Sequence, residues 1–195
     1  MTSPPPDNAV TLGILAGGRA TRLGGADKAW LERDGVAQVL RLSRRFTAEV
    51  AAILVSANRD PARYAPHGLR VVADAPAGLG PIGGLAALAT AARTPWLMTL
   101  PVDLLGVNEC LLRTLQASGP RGAFAEDQQG IQPLVALWRV DLLRDALPAA
   151  LADGAYAVQG LQRHLRMAPV RFDGVRFGNL NTPADLVAAG MTLSA

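Results

Sequence analysis

Short apolar segments alternate with glycine-rich or amphipathic segments along the first part of the chain. An apolar run that stops at glycine, aspartate or proline is typical of a buried β-strand. Such runs cover residues 10–15, 51–55, 69–73 and 96–100. Between them, the segment 36–46 repeats its apolar side chains at helical spacing, and an alanine-rich helix is predicted after the glycine-rich turn 78–84.

The second half of the chain has a less regular pattern. It predicts strands at 123–126 and 133–138 with a polar turn at 127–130, helices from about Asp141 and over about 156–165, and an edge strand at 170–172. A last helix is predicted from its capping signals: Thr182 is the N-cap, Pro183 the first helical residue, and Gly190 the stop.

Alternating buried strands and helices predict an α/β fold. We expect a single three-layer domain with a mostly parallel, Rossmann-like sheet and helices on both faces. The polar, proline-rich residues 1–9 are predicted to be a disordered tail, and residues 10–195 form the domain. In such a sheet, ligands bind at the carboxyl ends of the strands.

Composition excludes several functional classes. The chain of 195 residues is 50% hydrophobic and 18% charged, which indicates a globular protein. Its net charge of +3 comes with arginines dispersed along the sequence, so a dedicated nucleic-acid surface is not predicted. The sequence contains no apolar run long enough to predict a membrane span. A single cysteine, Cys110, excludes an intramolecular disulfide, favours a cytoplasmic location, and is expected in the core of a helical segment.

The glycine-rich segment Leu15–Lys28 carries the strongest chemical signal. Lys28 is the only lysine, so the other 18 of the 19 basic side chains are arginines. A compact ammonium beside glycines that let backbone N–H groups approach an anion favours a bound phosphate over an exposed lysine on a flexible turn. The segment matches neither the G-x-x-x-x-G-K-[ST] phosphate loop nor G-x-G-x-x-G.

Two carboxylates follow predicted strands. Asp103 could bind Mg²⁺ against a triphosphate that Arg22 and Lys28 hold, or it could be an ordinary helix cap or turn residue. Asp74 has the same two interpretations, with a base or ribose hydroxyl as its functional partner. Asn179 and Asn181 present amides at alternate positions of an extended segment, either to a ligand or to order the turn before the last helix.

Taken together, these segments resemble the molybdenum cofactor guanylyltransferase family of nucleotidyltransferases. The resemblance extends over about residues 11–190. It rests on the glycine-rich segment and on Ser56–Arg59, Val72–Asp74, Gly80–Leu85, Pro101–Asp103 and Asn179–Pro183. It implies a nucleotidyltransferase fold with a nucleotide-binding half at about 10–117 and an acceptor-binding half at about 118–195.

The resemblance also implies a reaction: GMP passes from GTP to molybdopterin, and pyrophosphate is released. Catalysis would use Arg22, Lys28 and Asp103, with Asp103 holding Mg²⁺ and Asn179 and Asn181 contacting the acceptor. The implied nucleotide contacts are Leu15, Ala16, Gly17, Gly18, Lys28, Ser56, Asp74 and Asp103. A molybdopterin-loading protein or an apo-molybdoenzyme chaperone would be a partner.

Two alternatives stay open at this point. The substrate could be that of a cytidylyl- or sugar-phosphate nucleotidyltransferase. Alternatively, the chain could be a catalytically silent nucleotide-binding regulatory module, since Leu104–Val107 and Gly154–Tyr156 depart from the family pattern. Retention of Arg22, Lys28 and Asp103 together favours an enzyme.

Overall fold

The computed structural model describes residues 9–17, 27–107, 109–180 and 182–193. The strands are β1 Val10–Leu15, β2 Leu31–Arg33, β3 Val36–Ala37, β4 Ala52–Ser56, β5 Arg70–Val72, β6 Trp96–Pro101, β7 Gly122–Asp127, β8 Gly130–Arg139, β9 Ala168–Arg171 and β10 Thr192–Leu193. The helices are α1 Gln38–Phe46, α2 Pro81–Ala91, α3 Leu111–Gln116, α4 Val140–Ala152, α5 Val158–Leu165 and α6 Pro183–Ala188.

A seven-stranded sheet in the order β5-β4-β1-β6-β8-β7-β9 forms the centre of the fold. Strand β1 is buried along its whole length and pairs in parallel with β4 and β6. Only β8 runs against its neighbours, pairing antiparallel with β6 and β7, while β9 is a parallel edge strand. The predicted α/β class with a mostly parallel sheet is therefore confirmed.

Helices cover both faces of this sheet, as expected for a parallel sheet that must bury both sides. Helices α1 and α3 pack on one face, in a core with β1 and β6. Helices α2, α4 and α5 pack on the other face. Helix α2 is largely buried. At its C-terminal end, Arg144 of α4 donates hydrogen bonds to the carbonyls of Ala89 at 2.8 Å, Thr90 at 3.3 Å and the C-cap residue Ala92 at 2.8 Å.

The predictions for Val36 and Cys110 are wrong, and one hairpin was not predicted. Val36 lies in the hairpin β2–β3 and not in a helix, because Asp34 and Gly35 adopt positive φ and turn the chain before α1 begins. Cys110 is exposed and precedes α3, so it is not a core residue. The hairpin pairs with β10 as a separate three-stranded sheet, an association that short-range sequence patterns do not encode.

The last helix is capped as predicted. Thr182 and Asp185 form a reciprocal capping box, with hydrogen bonds of 3.2 Å and 2.8 Å, and Gly190 follows the helix with a φ of 62°. The predicted tail lies largely outside the described residues, which begin at residue 9. Within the described ranges, no helix combines the length and the apolar character that a bilayer crossing needs.

Asp127, at the end of β7, connects the sheet to the segment before α6. Its buried carboxylate accepts hydrogen bonds from the backbone N–H groups of Phe177 and Gln129, both at 2.8 Å, and from Gln132 Nε2 at 3.2 Å. Burial alone would raise the pKa of the Asp127 carboxyl, but these hydrogen bonds and the charge of Arg176 lower it below its ordinary value of 3.8.

We expect Asp127→Asn to lower the free energy of unfolding at neutral pH by about 1–3 kcal/mol, because an amide nitrogen must then face a backbone N–H donor. The carboxylate stabilises the fold fully above its ordinary pKa of 3.8, and this contribution is lost as the pH falls through the lower pKa of the folded state. Urea denaturation at a series of pH values should therefore show the two proteins converging in acid.

The matched control is Asp173→Asn, an exposed carboxylate on a neighbouring segment. It should leave the free energy of unfolding nearly unchanged at every pH. A difference between the wild type and Asp127→Asn that stays constant into acid would contradict the role given to the Asp127 charge.

Candidate active site

The carboxyl edge of the sheet, where β1, β4, β5 and β6 end, carries an open cleft of about 730 Å³. Leu15 of β1 lies opposite Ser56 of β4 and Pro101 of β6, so these three parallel strands end at the same level. The residues that line the cleft are Ala16, Gly17, Asp27, Ala57, Asn58, Arg59, Asp74, Ala77, Gly78, Gly80 and Pro81.

Lys28 and Asp103 form an ion pair beside this cleft. The Lys28 Nζ donates to Asp103 Oδ2 at 2.7 Å, and the two side chains are 20% and 17% exposed. Neither residue lines the cleft itself, but Asp27, the neighbour of Lys28, does. Lys28 and Asp103 were both predicted from the sequence as site residues. They lie 75 positions apart in the sequence, and the structure brings them together.

The turn that carries Lys28 is anchored by its neighbours. Asp27 caps the 3-10 turn Lys28–Trp30 by accepting from the Ala29 N–H at 3.0 Å. Trp30 is buried, its ring meets that of Tyr64 edge to face at 5.0 Å, and the Arg63 guanidinium lies 4.3 Å above it. Burial, with the negative charge of Asp27 nearby, raises the pKa of Tyr64 to about 12, so this phenol is neutral at physiological pH.

Asp74 belongs to a hydrogen-bond network at the floor of the cleft. Its Oδ1 accepts from Ser56 Oγ and its Oδ2 from Asn58 Nδ2 at 2.7 Å. The Asn58 Oδ1 in turn accepts from the Asp74 N–H at 2.9 Å, so the two side chains fix each other. Asn58 was not among the residues predicted for the site, although its place two residues after β4 was a usable signal.

Two glycines leave room for this network. A Cβ on Gly84 would lie 2.6 Å from Ser56 Oγ, and a Cβ on Gly17 would lie 3.0 Å from Asp74 Oδ2. Gly84 is in the first turns of α2, whose N-terminal residues Gly80 and Pro81 reach the cleft. Helix α2 has eleven residues and its N-terminus lies at the cleft, where it can present backbone N–H groups and partial positive charge to an anion.

The segment Phe177–Leu180 is joined to the loop that carries Asp103. The Leu180 N–H donates to the Asp103 carbonyl at 3.3 Å, and the Leu105 N–H donates to the Gly178 carbonyl at 2.8 Å. Asn179 pairs with Leu104 in an antiparallel bridge between these two bonds. The structure therefore places the predicted acceptor residue Asn179 next to the predicted metal residue.

The remaining predicted site residues divide into three groups. Ala16 and Gly17 line the cleft. Leu15 and Ser56 are 8% and 1% exposed and lie in the packed layer at the strand ends rather than in the cleft lining. The last group, Gly18, Arg22 and Asn181, lies outside the described residues.

Asp103 fits a divalent cation that takes its other ligands from a substrate. Among the described residues, no group of three or more His, Cys, Asp or Glu side chains could hold a metal alone. Mg²⁺ commonly binds through one or two carboxylates together with substrate phosphates, and a largely covered but still accessible carboxylate beside a cleft suits that arrangement. The ammonium of Lys28 lies at the same carboxylate, so the site also offers a positive group to the phosphates of such a substrate.

Comparison with known proteins identifies the family. The MobA-like NTP transferase domain matches residues 12–171 of the sequence. The chain belongs to this family. The molybdenum cofactor guanylyltransferase of Burkholderia ambifaria is 37% identical, with 94% of this chain and 96% of that protein covered. The molybdenum cofactor guanylyltransferase of Cereibacter sphaeroides is 39% identical, with 90% and 93% covered.

A solved structure supports the same fold. The molybdopterin-guanine dinucleotide biosynthesis protein A from Archaeoglobus fulgidus superposes with a TM-score of 0.71 at 19% identity, covering 92% of this chain and 96% of that one. The predicted family and the α/β nucleotidyltransferase fold are confirmed, and the chain is a nucleotidyltransferase. Enzymes of this family generally use a divalent metal.

We expect Gly84→Ala to weaken nucleoside triphosphate binding about tenfold or more, because its Cβ would displace the Ser56 hydroxyl from the charged Asp74. The matched control is Gly160→Ala in α5, where a Cβ meets nothing within 4 Å. That variant should bind normally and gain up to about 1 kcal/mol of stability, since alanine favours a helix. Calorimetric titration and thermal unfolding measure both effects, and equal binding by the two variants would contradict this role of Gly84.

Proposed function

We propose that this protein transfers the GMP moiety of GTP to molybdopterin, forming the guanine dinucleotide cofactor and releasing pyrophosphate. The observation that carries this proposal is the Lys28–Asp103 pair, which lies between the cleft and the segment that contains Asn179. The names of the relatives at 37% and 39% identity support the choice of GTP and molybdopterin as substrates.

The chemistry explains why an ammonium and a carboxylate are needed together. A phosphate oxygen of the acceptor attacks the α-phosphorus of GTP, and a new O–P bond forms. The bond between the α-phosphorus and the oxygen that bridges it to the β-phosphate breaks, and pyrophosphate leaves. Both reactants are anions, so positioning and charge neutralisation dominate catalysis. The acceptor phosphate is already ionised near neutral pH, so no dedicated general base is required.

The residues have distinct proposed roles. Lys28 and Arg22 neutralise the triphosphate, while Gly17 and Gly18 let the backbone approach it. Asp103 would hold Mg²⁺, which supplies further neutralisation of phosphate charge when bound. The pair observed here keeps the ammonium and the carboxylate in place for those two ligands.

The nucleoside is proposed to lie in the cleft beside β4 and α2. There Asp74, fixed by Ser56 and Asn58, retains lone pairs that can accept from donors of the base or ribose. Leu15 ends β1 at this site and Ala16 follows it, so these two residues are the proposed nucleotide contacts there. Asn179 and Asn181 are proposed to contact the pterin side of the acceptor.

We also propose a cytoplasmic location, where a molybdopterin-loading protein or an apo-molybdoenzyme chaperone would supply or receive the cofactor. The single cysteine supports this location, because a reducing compartment does not call for disulfides. Nucleic acids and membranes are not proposed as partners.

Titration of the purified protein with GTP, CTP, ATP and UTP, with and without Mg²⁺, tests the nucleotide half of the proposal. We expect selective GTP binding, reduced at least about tenfold in Lys28→Ala because a charged contact is lost. Arg93→Ala, an exposed cation next to the amino end of β6, is the control and should bind normally. A preference for CTP would assign the protein to the cytidylyl branch, and no binding of any of the four nucleotides would refute the nucleotide half of the proposal.

Asp103→Asn should reduce Mg²⁺-dependent pyrophosphate release with molybdopterin by about 10²-fold or more, while metal-free GTP binding changes far less. The amide keeps the size of the side chain but removes the charge that a cation needs. Release is measured against Mg²⁺ concentration, and binding is measured by calorimetry in chelator. Equal losses in both measurements would show that Asp103 has only a structural role.

A further inference from the structure

The buried side chain of Gln38 joins two parts of the candidate active site. Gln38 is the first residue of α1 and is 3% exposed. Its Nε2 donates a hydrogen bond of 2.8 Å to the carbonyl of Leu104, the residue that follows Asp103, across 66 positions of sequence. A buried amide is rarely placed in an apolar layer without a specific partner, and here the partner is the loop of the predicted metal ligand.

The other backbone hydrogen bonds of this loop come from elsewhere. The Leu104 N–H donates to the Pro101 carbonyl at 3.1 Å, and the Leu105 N–H and the Asp103 carbonyl are bonded to the segment Phe177–Leu180. The Leu104 carbonyl accepts from Gln38, and Leu104 itself is 1% exposed. Removal of the Gln38 donor would therefore leave a buried carbonyl that must move to find another partner.

Gln38 also lies on the element behind Lys28. Helix α1 packs against the turn Lys28–Trp30, and Ala29 and Trp30 of that turn share a core with Val39 and Leu42. One helix thus supports the lysine by packing and the aspartate loop by a hydrogen bond. Because a displacement of about 1 Å at a reacting group can cost about 10²-fold in rate, such support matters for the alignment of two charged groups.

We propose that Gln38 is a positioning residue for Asp103: its amide fixes the loop 103–105 so that the carboxylate faces a nucleotide-bound divalent cation. This inference rests on the proposed function, in which Asp103 holds Mg²⁺. Gln38 touches neither substrate in this arrangement and acts only through the Leu104 peptide.

The chain offers a matched control for this role. Gln162 in α5 is 1% exposed, and its Nε2 also donates a hydrogen bond of 2.8 Å to a backbone carbonyl, that of Pro133. It lies on the opposite face of the sheet, in the core with α2 and α4. Gln38→Met and Gln162→Met therefore each remove one hydrogen bond of 2.8 Å with little change in side-chain volume, but only the first bears on Asp103.

Three measurements separate positioning from simple stabilisation. Thermal unfolding reports the general loss of stability of each variant, against which the other two measurements are compared. Hydrogen–deuterium exchange of the peptide 101–107 should rise in Gln38→Met and stay at the wild-type level in Gln162→Met. The gain in GTP affinity on adding Mg²⁺, measured by calorimetry, should shrink by about threefold to tenfold in Gln38→Met alone, with metal-free affinity unchanged.

The inference is overturned if Gln38→Met and Gln162→Met show the same exchange of 101–107 and the same response to Mg²⁺. If Gln38→Met does not fold, Gln38→Asn withdraws the donor by one methylene group and is held to the same two criteria. The exchange measurement needs no nucleotide. It therefore decides whether Gln38 holds this loop even if the wild type proves not to bind GTP, a result that would refute the proposed function instead.

Discussion

The parallel register of β1 with β4 and β6 determines where the candidate residues lie. β1 is buried throughout, and its last residue, Leu15, is level with the last residues of both neighbours, Ser56 and Pro101. Both faces of β1 are buried, and a slip of one residue would put a larger side chain in the place of Gly13, where a Cβ would already lie 2.8 Å from Leu88, so this register is strongly specified. Gly17, Asn58 and Asp103 each follow a strand by two residues. They meet at one edge for that reason, although they lie far apart in sequence.

The Lys28–Asp103 pair then sets the electrostatics of that edge. The Lys28 Nζ and Asp103 Oδ2 atoms are 2.7 Å apart, and both side chains are about four-fifths covered. Because water reaches these covered charges poorly, each charge compensates the other. Under the proposed roles, a triphosphate would replace Asp103 at the ammonium and a divalent cation would replace Lys28 at the carboxylate, so neither charge would be left isolated. A pair held in place before the substrate arrives would lower the reorganisation needed during the proposed reaction.

Sequence patterns predicted the long-range framework better than the local supports. The strands β1 and β6 and the capped helix α6 follow from apolar runs and capping residues, which act locally. The hairpin β2–β3 was missed because its strands of three and two residues are too short to show a period. Lys28 could be recognised because it is the only lysine in the sequence. Asn58 and Gln38 instead act through partners 16 and 66 positions away, and a local sequence pattern does not show such pairings.

The connection between the two halves of the site is continuous through hydrogen bonds. Asp127 binds the Phe177 N–H, and the segment that follows pairs with the loop 103–105 through Gly178 and Leu180. The backbone of Asn179, which is proposed to contact the acceptor, and that of Asp103, which is proposed to hold the metal, therefore belong to one small ladder. An in-line attack requires the acceptor phosphate and the α-phosphate to be aligned, and under the proposed roles this ladder would fix the relative position of Asn179 and Asp103. Since this ladder joins the loop 103–105 to residues 178–180, the proposed reaction geometry depends on the association of two segments that lie far apart in the sequence.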